Sequence, residues 1–224
     1  MTEQQIPHGN GADHDGHDHE GAVPDGRPPY YALRIRAIQA LLVEKGVLTQ
    51  EDIQNQIDYI ESRTPALGAR MVAKAWVDPE YRKRLLANAK TAAAELGIDA
   101  SGVTKIVAVE NTERVRNMIV CTLCSCYPRP ILGRPPDWYK SFSYRSRAVV
   151  EPRAVMAEFG TDVPDDVEVR VHDSTADIRY LVLPQRPPGT ESWTEEQLAA
   201  LVTRDSMVGV TDVRLDPVAA GSGR

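Results

Sequence analysis

Three thiols fall within six residues, Cys121-Thr122-Leu123-Cys124-Ser125-Cys126, and no other cysteine occurs in the 224-residue chain. Cysteines at i, i+3 and i+5 converge on one point only if the backbone curls tightly. A loop that tight also turns its own amide nitrogens, those of Ser125 and Cys126, toward the same point. Three sulfurs and two backbone nitrogens make five ligands with a sixth position open, the arrangement that Lewis-acid catalysis requires. Soft thiolates at this density favour transition metals over magnesium or calcium.

Other uses of three thiols compete with that reading. A structural zinc site wants four tetrahedral ligands, and only His172 lies outside the first 28 residues as a fourth. An iron–sulfur cluster usually takes four cysteines. A redox pair at Cys121 and Cys124 expects a helix to follow, where this chain continues into prolines. Three inert buried thiols have no reason to cluster. An odd number of crowded cysteines cannot staple distant segments, so the pattern is not a secreted disulfide framework.

The elements that position the loop must come from the rest of the chain. With 42% apolar residues it can bury a substantial core. No run reaches the roughly 18 apolar residues of a membrane helix, and the start lacks a basic region followed by an apolar one, so a cytoplasmic location is expected. The net charge is −6; residues 1–28 hold six acids against Arg27, or −5, which leaves −1 for the remainder. A nearly neutral body without a basic stripe argues against nucleic-acid binding.

His8 to Glu20 alternates His and Asp in a polar, glycine-containing run, so residues 1–28 read as a disordered tail, either merely solvated or a weak metal gatherer. From Tyr30 the pattern is helical: Leu33, Ile35, Ile38, Leu41 and Leu42 share a face, and Gly46 is a stop. Thr49 caps a second helix with Asp52 at its third position and Ile53, Ile57 and Ile60 facing inward. Leu67 to Val77 predicts a third. Asp78-Pro79 opens a long helix through Leu85, Leu86, Ala93 and Leu96, ended by Gly97.

Beyond it the period changes. Lys105 to Glu110 and Val115 to Val120 read as strands around the turn Asn111-Thr112, and the thiol loop leaves the end of the second. Pro128, Pro130, Pro135 and Pro136 make regular structure unlikely in the next segment. A helix interrupted at Pro152 is expected over 145–159, strands over 167–172 and 178–183, a helix opened by Thr194, and a last strand over 207–211. The fold class is α+β: a helical region over 29–98, an α/β/α-like sheet domain over 99–212 carrying the metal loop, and a flexible end over 213–224.

The segments VCTLCSCYPRPILGRPPDWYK, YRSRAVVEPR, DSTADIRYLVLPQRPPGT and LVTRDSMVGV, in this order, resemble the nitrile hydratase α subunit and its relative, the thiocyanate hydrolase γ subunit. The resemblance runs from about Tyr30 to Val210. It implies a low-spin trivalent metal held by Cys121 as thiolate, by the sulfurs of Cys124 and Cys126, and by the deprotonated amides of Ser125 and Cys126. It also implies oxidation of Cys124 to a sulfinic and Cys126 to a sulfenic species. Such oxygens are strong anionic acceptors, met in the family by arginines from a β subunit, so the resemblance implies a hetero-oligomer, loaded by a metal-inserting activator protein.

Thr122 is the form associated with Co(III), where serine accompanies Fe(III). Cys126, Ser125 and Tyr127 become the catalytic candidates, although a tyrosine beside proline is equally a packing residue. Arg179, preceded by Asp177, matches the family's claw-steadying arginine, against the plainer reading of an exposed strand ion pair. One position departs: cobalt nitrile hydratases read Tyr-Pro-Trp-Pro after the last cysteine, and this chain reads Tyr127-Pro128-Arg129-Pro130, the thiocyanate hydrolase form. If Arg129 lines the pocket it bears on substrate charge. The expectation is a cobalt nitrile hydratase α subunit turning nitriles into amides. Its alternatives are a thiocyanate hydrolase γ subunit, releasing carbonyl sulfide and ammonia, and a non-catalytic metal carrier with reduced cysteines.

Overall fold

A computed structural model describes residues 29–215. The expected tail over 1–28 and all but the first three residues of the expected flexible end over 213–224 lie outside them. The chain forms two compact units, one ending at Gln54 and the other beginning at Asn55. In the first unit, helix α1 (Tyr30–Glu44) ends as its sequence predicts: Gly46 adopts φ +67° and the Val47 amide donates back to the Leu42 carbonyl at 2.9 Å. Its apolar face is exposed rather than buried, with none of its residues in the core.

Helix α2 (Gln50–Glu61) begins with the expected box, the Thr49 hydroxyl accepting from the Asp52 amide while Asp52 accepts from Thr49. Ile57 and Ile60, expected to face inward, are exposed, and Ile53 is half-buried. Periodicity marks a face as apolar; it does not say that this chain covers it.

Helix α3 (Pro65–Val77) carries Met71, Val72 and Ala75 into the core. The long helix predicted after Asp78 is two helices, α4 (Pro79–Ala87) and α5 (Ala89–Glu95). Asn88 leaves the helical region at φ −158°, and its side chain accepts from the Lys90 and Thr91 amides to start α5 afresh. The apolar rhythm runs unbroken through this point, so it conceals a cap inside the run.

Strands β1 (Lys105–Glu110) and β2 (Val115–Val120) have the predicted extents, and the turn between them holds only the bridge Thr112–Val115. Their long partners come later and run parallel. β2 pairs with β3 (Glu168–Asp173) and β1 with β4 (Ile178–Leu183), with Val120 opposite Asp173 and Glu110 opposite Leu183. Asn117 to Val120 are all buried, the pattern of a strand covered on both faces.

Between these strands stand four helices: α6 (Arg129–Leu132), α7 (Asp137–Lys140), α8 (Phe142–Val150) and α9 (Pro152–Glu158). The first two overturn the expectation that the proline segment lacks regular structure. Pro130 fits an early helical turn, where its missing N–H is no loss. The expected interruption at Pro152 is present, and it divides the run into α8, which begins earlier than expected at Phe142, and α9, which Pro152 opens. After β4 come α10 (Glu195–Leu201), capped by Thr194, and α11 (Arg204–Val208). The last predicted strand is therefore wrong: Thr203 caps α11, and Gly209 ends it at φ +89°, where an added Cβ would meet the Asn117 carbonyl. Helices α4 and α5 pack on β1, α11 on β4 and α9 on β3, so both strand pairs are backed by helices. The architecture is α+β, a helical beginning followed by a sheet region.

Candidate metal centre

β2 delivers Cys121 into a fully buried position, and the Ser174 amide, just past β3, donates to the Val120 carbonyl at 2.7 Å. Here the strand pairing ends and the loop begins. Asp173, the last residue of β3, accepts from the Thr122 amide at 3.0 Å and from its hydroxyl at 2.5 Å. Both oxygens of one carboxylate thus fix the first residue after Cys121.

The chain then curls on itself. The Cys124 amide donates to the Cys121 sulfur at 3.3 Å, and the sulfurs stand 3.4 Å apart between Cys121 and Cys124 and 3.2 Å apart between Cys124 and Cys126. All three lie within 4.8 Å of one another. The expected convergence of the three sulfurs is therefore present. The thiol of Cys126 and then that of Cys121 lower the Cys124 pKa, with help from the backbone amides of Cys126 and Ser125. Burial pushes the Cys126 thiol up to about 12, opposed by the charge of Arg179.

Beneath the loop lies an aromatic floor. Tyr139 on α7, fully buried, donates its hydroxyl to the Cys126 carbonyl at 2.9 Å, and Tyr144 on α8 donates to the Ile119 carbonyl at 2.5 Å. Tyr127 packs edge-on against Tyr139 at 4.9 Å between ring centroids. Its hydroxyl is buried without a partner among the described residues, and burial raises its pKa. Tyr127 therefore packs, as its place beside proline suggested.

Among the described residues Arg179 on β4 reaches only the Ile178 carbonyl, at 3.4 Å, and its Nε is buried without an acceptor. Asp177 has no ion pair with it; the Asp177 amide bonds to the Thr175 hydroxyl and its carbonyl to the Lys105 amide. Arg129 starts α6, exposed, with no side-chain partner among the described residues. His172, the only fourth zinc ligand the sequence offered, hydrogen-bonds Asn117 at 2.8 Å and does not join the sulfurs. Among the described residues no fourth tetrahedral ligand accompanies the cysteines, whereas three converging soft sulfurs suit a transition metal.

Sequence reasoning missed three residues that hold the loop: Asp173, Tyr139 and Arg145, whose Nη1 donates to the Cys124 carbonyl at 3.4 Å. All three lie in the quoted segments. An aspartate at a strand end and a tyrosine buried in a proline-rich stretch were the available signals.

The model of the nitrile hydratase alpha chain matches residues 29–211. The low-molecular weight cobalt-containing nitrile hydratase subunit alpha of Rhodococcus rhodochrous is 54% identical over 181 residues, 80% of this chain and 87% of that one. The thiocyanate hydrolase subunit gamma of Thiobacillus thioparus is 43% identical over 185 residues, 78% of this chain and 76% of that one. Among solved structures, a double mutant of the Fe-type nitrile hydratase from Comamonas testosteroni aligns with a TM-score of 0.77 at 39% identity, covering 87% of this chain and 98% of that one. A family match over residues 29–211, with relatives 43–54% identical over most of the chain, means that the chain belongs to the nitrile hydratase alpha-chain family.

Proposed function

We propose that this chain is the metal-bearing α subunit of a cobalt-dependent nitrile hydratase, adding water across a nitrile to give an amide. The observation that carries it is the cluster of three sulfurs within 4.8 Å in a chain of this family. Cys121, Cys124 and Cys126 with the amides of Ser125 and Cys126 would hold the ion, and Thr122 rather than serine favours Co(III) over Fe(III). When bound, such an ion supplies Lewis acidity to polarise a nitrile or acidify water.

The protein's own residues do the rest. Buried Cys121 anchors the site, Asp173 and Tyr139 fix the ends of the loop, and Arg179 offers positive charge beside Cys126. With Cys124 as sulfinate and Cys126 as sulfenate, the Cys126 oxygen acts as nucleophile or takes the proton from water. Tyr127, packed on Tyr139, supports the loop from within the core. Leu123 and Phe142 are exposed by 89% and 79%, apolar surface that supports a partner subunit covering the tip and meeting the oxidised sulfurs with arginines. No helix among the described residues is long and apolar enough to cross a membrane.

Thiocyanate hydrolysis is the second reading, favoured by Arg129 in place of tryptophan and by the γ-subunit relative. Arg129 is exposed and unpaired among the described residues, which suits an outward contact with a partner and leaves the pocket its neutral preference. The test is the native complex assayed on nitriles and thiocyanate side by side, with metal analysis and the mass of the Cys121–Cys126 peptide. Roughly one cobalt per chain, oxidised cysteines and nitrile turnover are expected. Reduced cysteines without turnover would make it a carrier, and iron would reverse the metal assignment. Arg129→Trp should leave selectivity unchanged and weaken subunit association; a collapse of thiocyanate turnover with improved nitrile hydration would reverse the choice of substrate.

A further inference from the structure

Two arginines on α8 are two residues apart and are used differently. Arg147 is tied to Glu151 and Glu158, so its charge is spent within the surface of the helix. Arg145 has no acid partner among the described residues. Its Nη1 makes a long bond of 3.4 Å to the Cys124 carbonyl, and its Nε–H is buried with no acceptor. Arg179 on β4, whose charge acts on Cys126, likewise has a buried Nε–H with no acceptor among the described residues. Two guanidiniums therefore stand beside the sulfurs with buried N–H groups that no acid among the described residues engages, and cationic donors of this kind suit negative charge.

We propose that Arg145 is a positioning residue of the sulfur loop, holding its Cys124 end closed and balancing the negative charge that the three cysteines carry once they ligate a metal. This rests on the reading of the loop as a metal site. Ligating thiols are deprotonated, so the loaded loop gathers several negative charges within 4.8 Å. The strands hold the Cys121 end through Ser174 and Asp173, and Tyr139 holds the Cys126 carbonyl. At exposed Cys124, between those anchors, Arg145 is the side chain that meets the backbone. A planar guanidinium can serve the carbonyl and an anionic ligand with separate N–H groups, which a lysine ammonium cannot match in geometry.

The test uses the full chain assembled with its partner subunits and loaded with cobalt, as wild type, Arg145→Lys and Arg145→Met. The readouts are the rate of cobalt loss to excess chelator, the visible absorption of the centre, and the melting temperature of the metal-free chain. Arg145→Met should hold cobalt about 10–100-fold more weakly, the range in metal affinity for residues that orient metal ligands, read as faster loss to chelator, with a shifted absorption band and metal-free melting unchanged. Arg145→Lys should fall between. Wild-type release and spectrum in Arg145→Met, while the wild type holds cobalt, would overturn this inference alone. Faster release matched by lower metal-free melting would also overturn it, by showing a structural role. A wild type that takes up no cobalt would overturn the metal-site reading beneath it as well.

Discussion

Cys121 and Leu123 are two residues apart, and their exposures are 0% and 89%. The root of the loop, at Cys121, is an extension of the core: it follows four buried residues of β2 and is fastened by β3 on one side and the tyrosine floor below. The tip, from Leu123 to Cys124, is held from outside the loop by one long bond from Arg145 and has an apolar side chain in solvent. This chain builds the root by itself, while the tip has the character of a surface awaiting a partner. Changes at the root should therefore act on metal and fold, and changes at the tip on assembly.

The largest effect is expected from Cys121→Ser, which keeps the size of a buried ligand and replaces soft sulfur with oxygen. Cobalt content, measured on the purified chain with its partners, should drop from roughly one per chain to near zero. Retained cobalt would mean that the root is structural and that the ligands lie elsewhere.

Next comes Met118→Ala, in the buried run that leads to the root. Removing a fully buried side chain this size costs about 2–5 kcal/mol, read as a lower denaturant midpoint of the metal-free chain. A loss under about 1 kcal/mol, below the range for such cavities, would show that β2 is less firmly packed than its burial indicates and would weaken the contrast between root and tip.

How far the sequence reveals this contrast differs by distance along the chain. The thiol cluster, both strand extents around it and the caps Thr49, Asp78 and Thr194 follow from neighbouring residues, and local rules read them. The grips on the loop do not: Asp173 lies 51 residues from Thr122, Arg145 lies 21 from Cys124 and Tyr139 lies 13 from Cys126. Parallel pairing of β1 with β4 is likewise fixed only when the intervening helices have packed. Asn88 and the Thr203–Gly209 segment fail for another reason, since a cap inside an apolar run and a short β-branched-looking stretch both mimic the wrong period.

A smaller effect is expected at the Asp173 clamp. Asp173→Ala removes both bonds to Thr122, and Thr122→Val removes the hydroxyl bond alone, at about 0.5–1.5 kcal/mol each for hydrogen bonds of ordinary strength. Thr122→Ser keeps the hydroxyl and should leave stability nearly unchanged by thermal melting. If Thr122→Ser also changes which metal is taken up, the selectivity lies in the threonine methyl group rather than in the bond to Asp173. Loss of the clamp without any change in melting would show that the root does not depend on β3.

The smallest effect on the chain itself belongs to Leu123→Ser. A side chain 89% exposed makes few contacts within its own chain, and surface changes of this kind usually stay within about 0.5 kcal/mol. Metal-free melting should therefore match the wild type. The same side chain, if a partner subunit covers it, is an apolar contact at the edge of the metal loop, and truncation should weaken association with the partner while leaving the isolated chain intact. Dissociation measured on the assembled complex checks this. Unchanged association would mean that the partner does not reach the tip, and the exposed sulfur of Cys124 would then need its compensating charge from Arg145 and Arg179 alone.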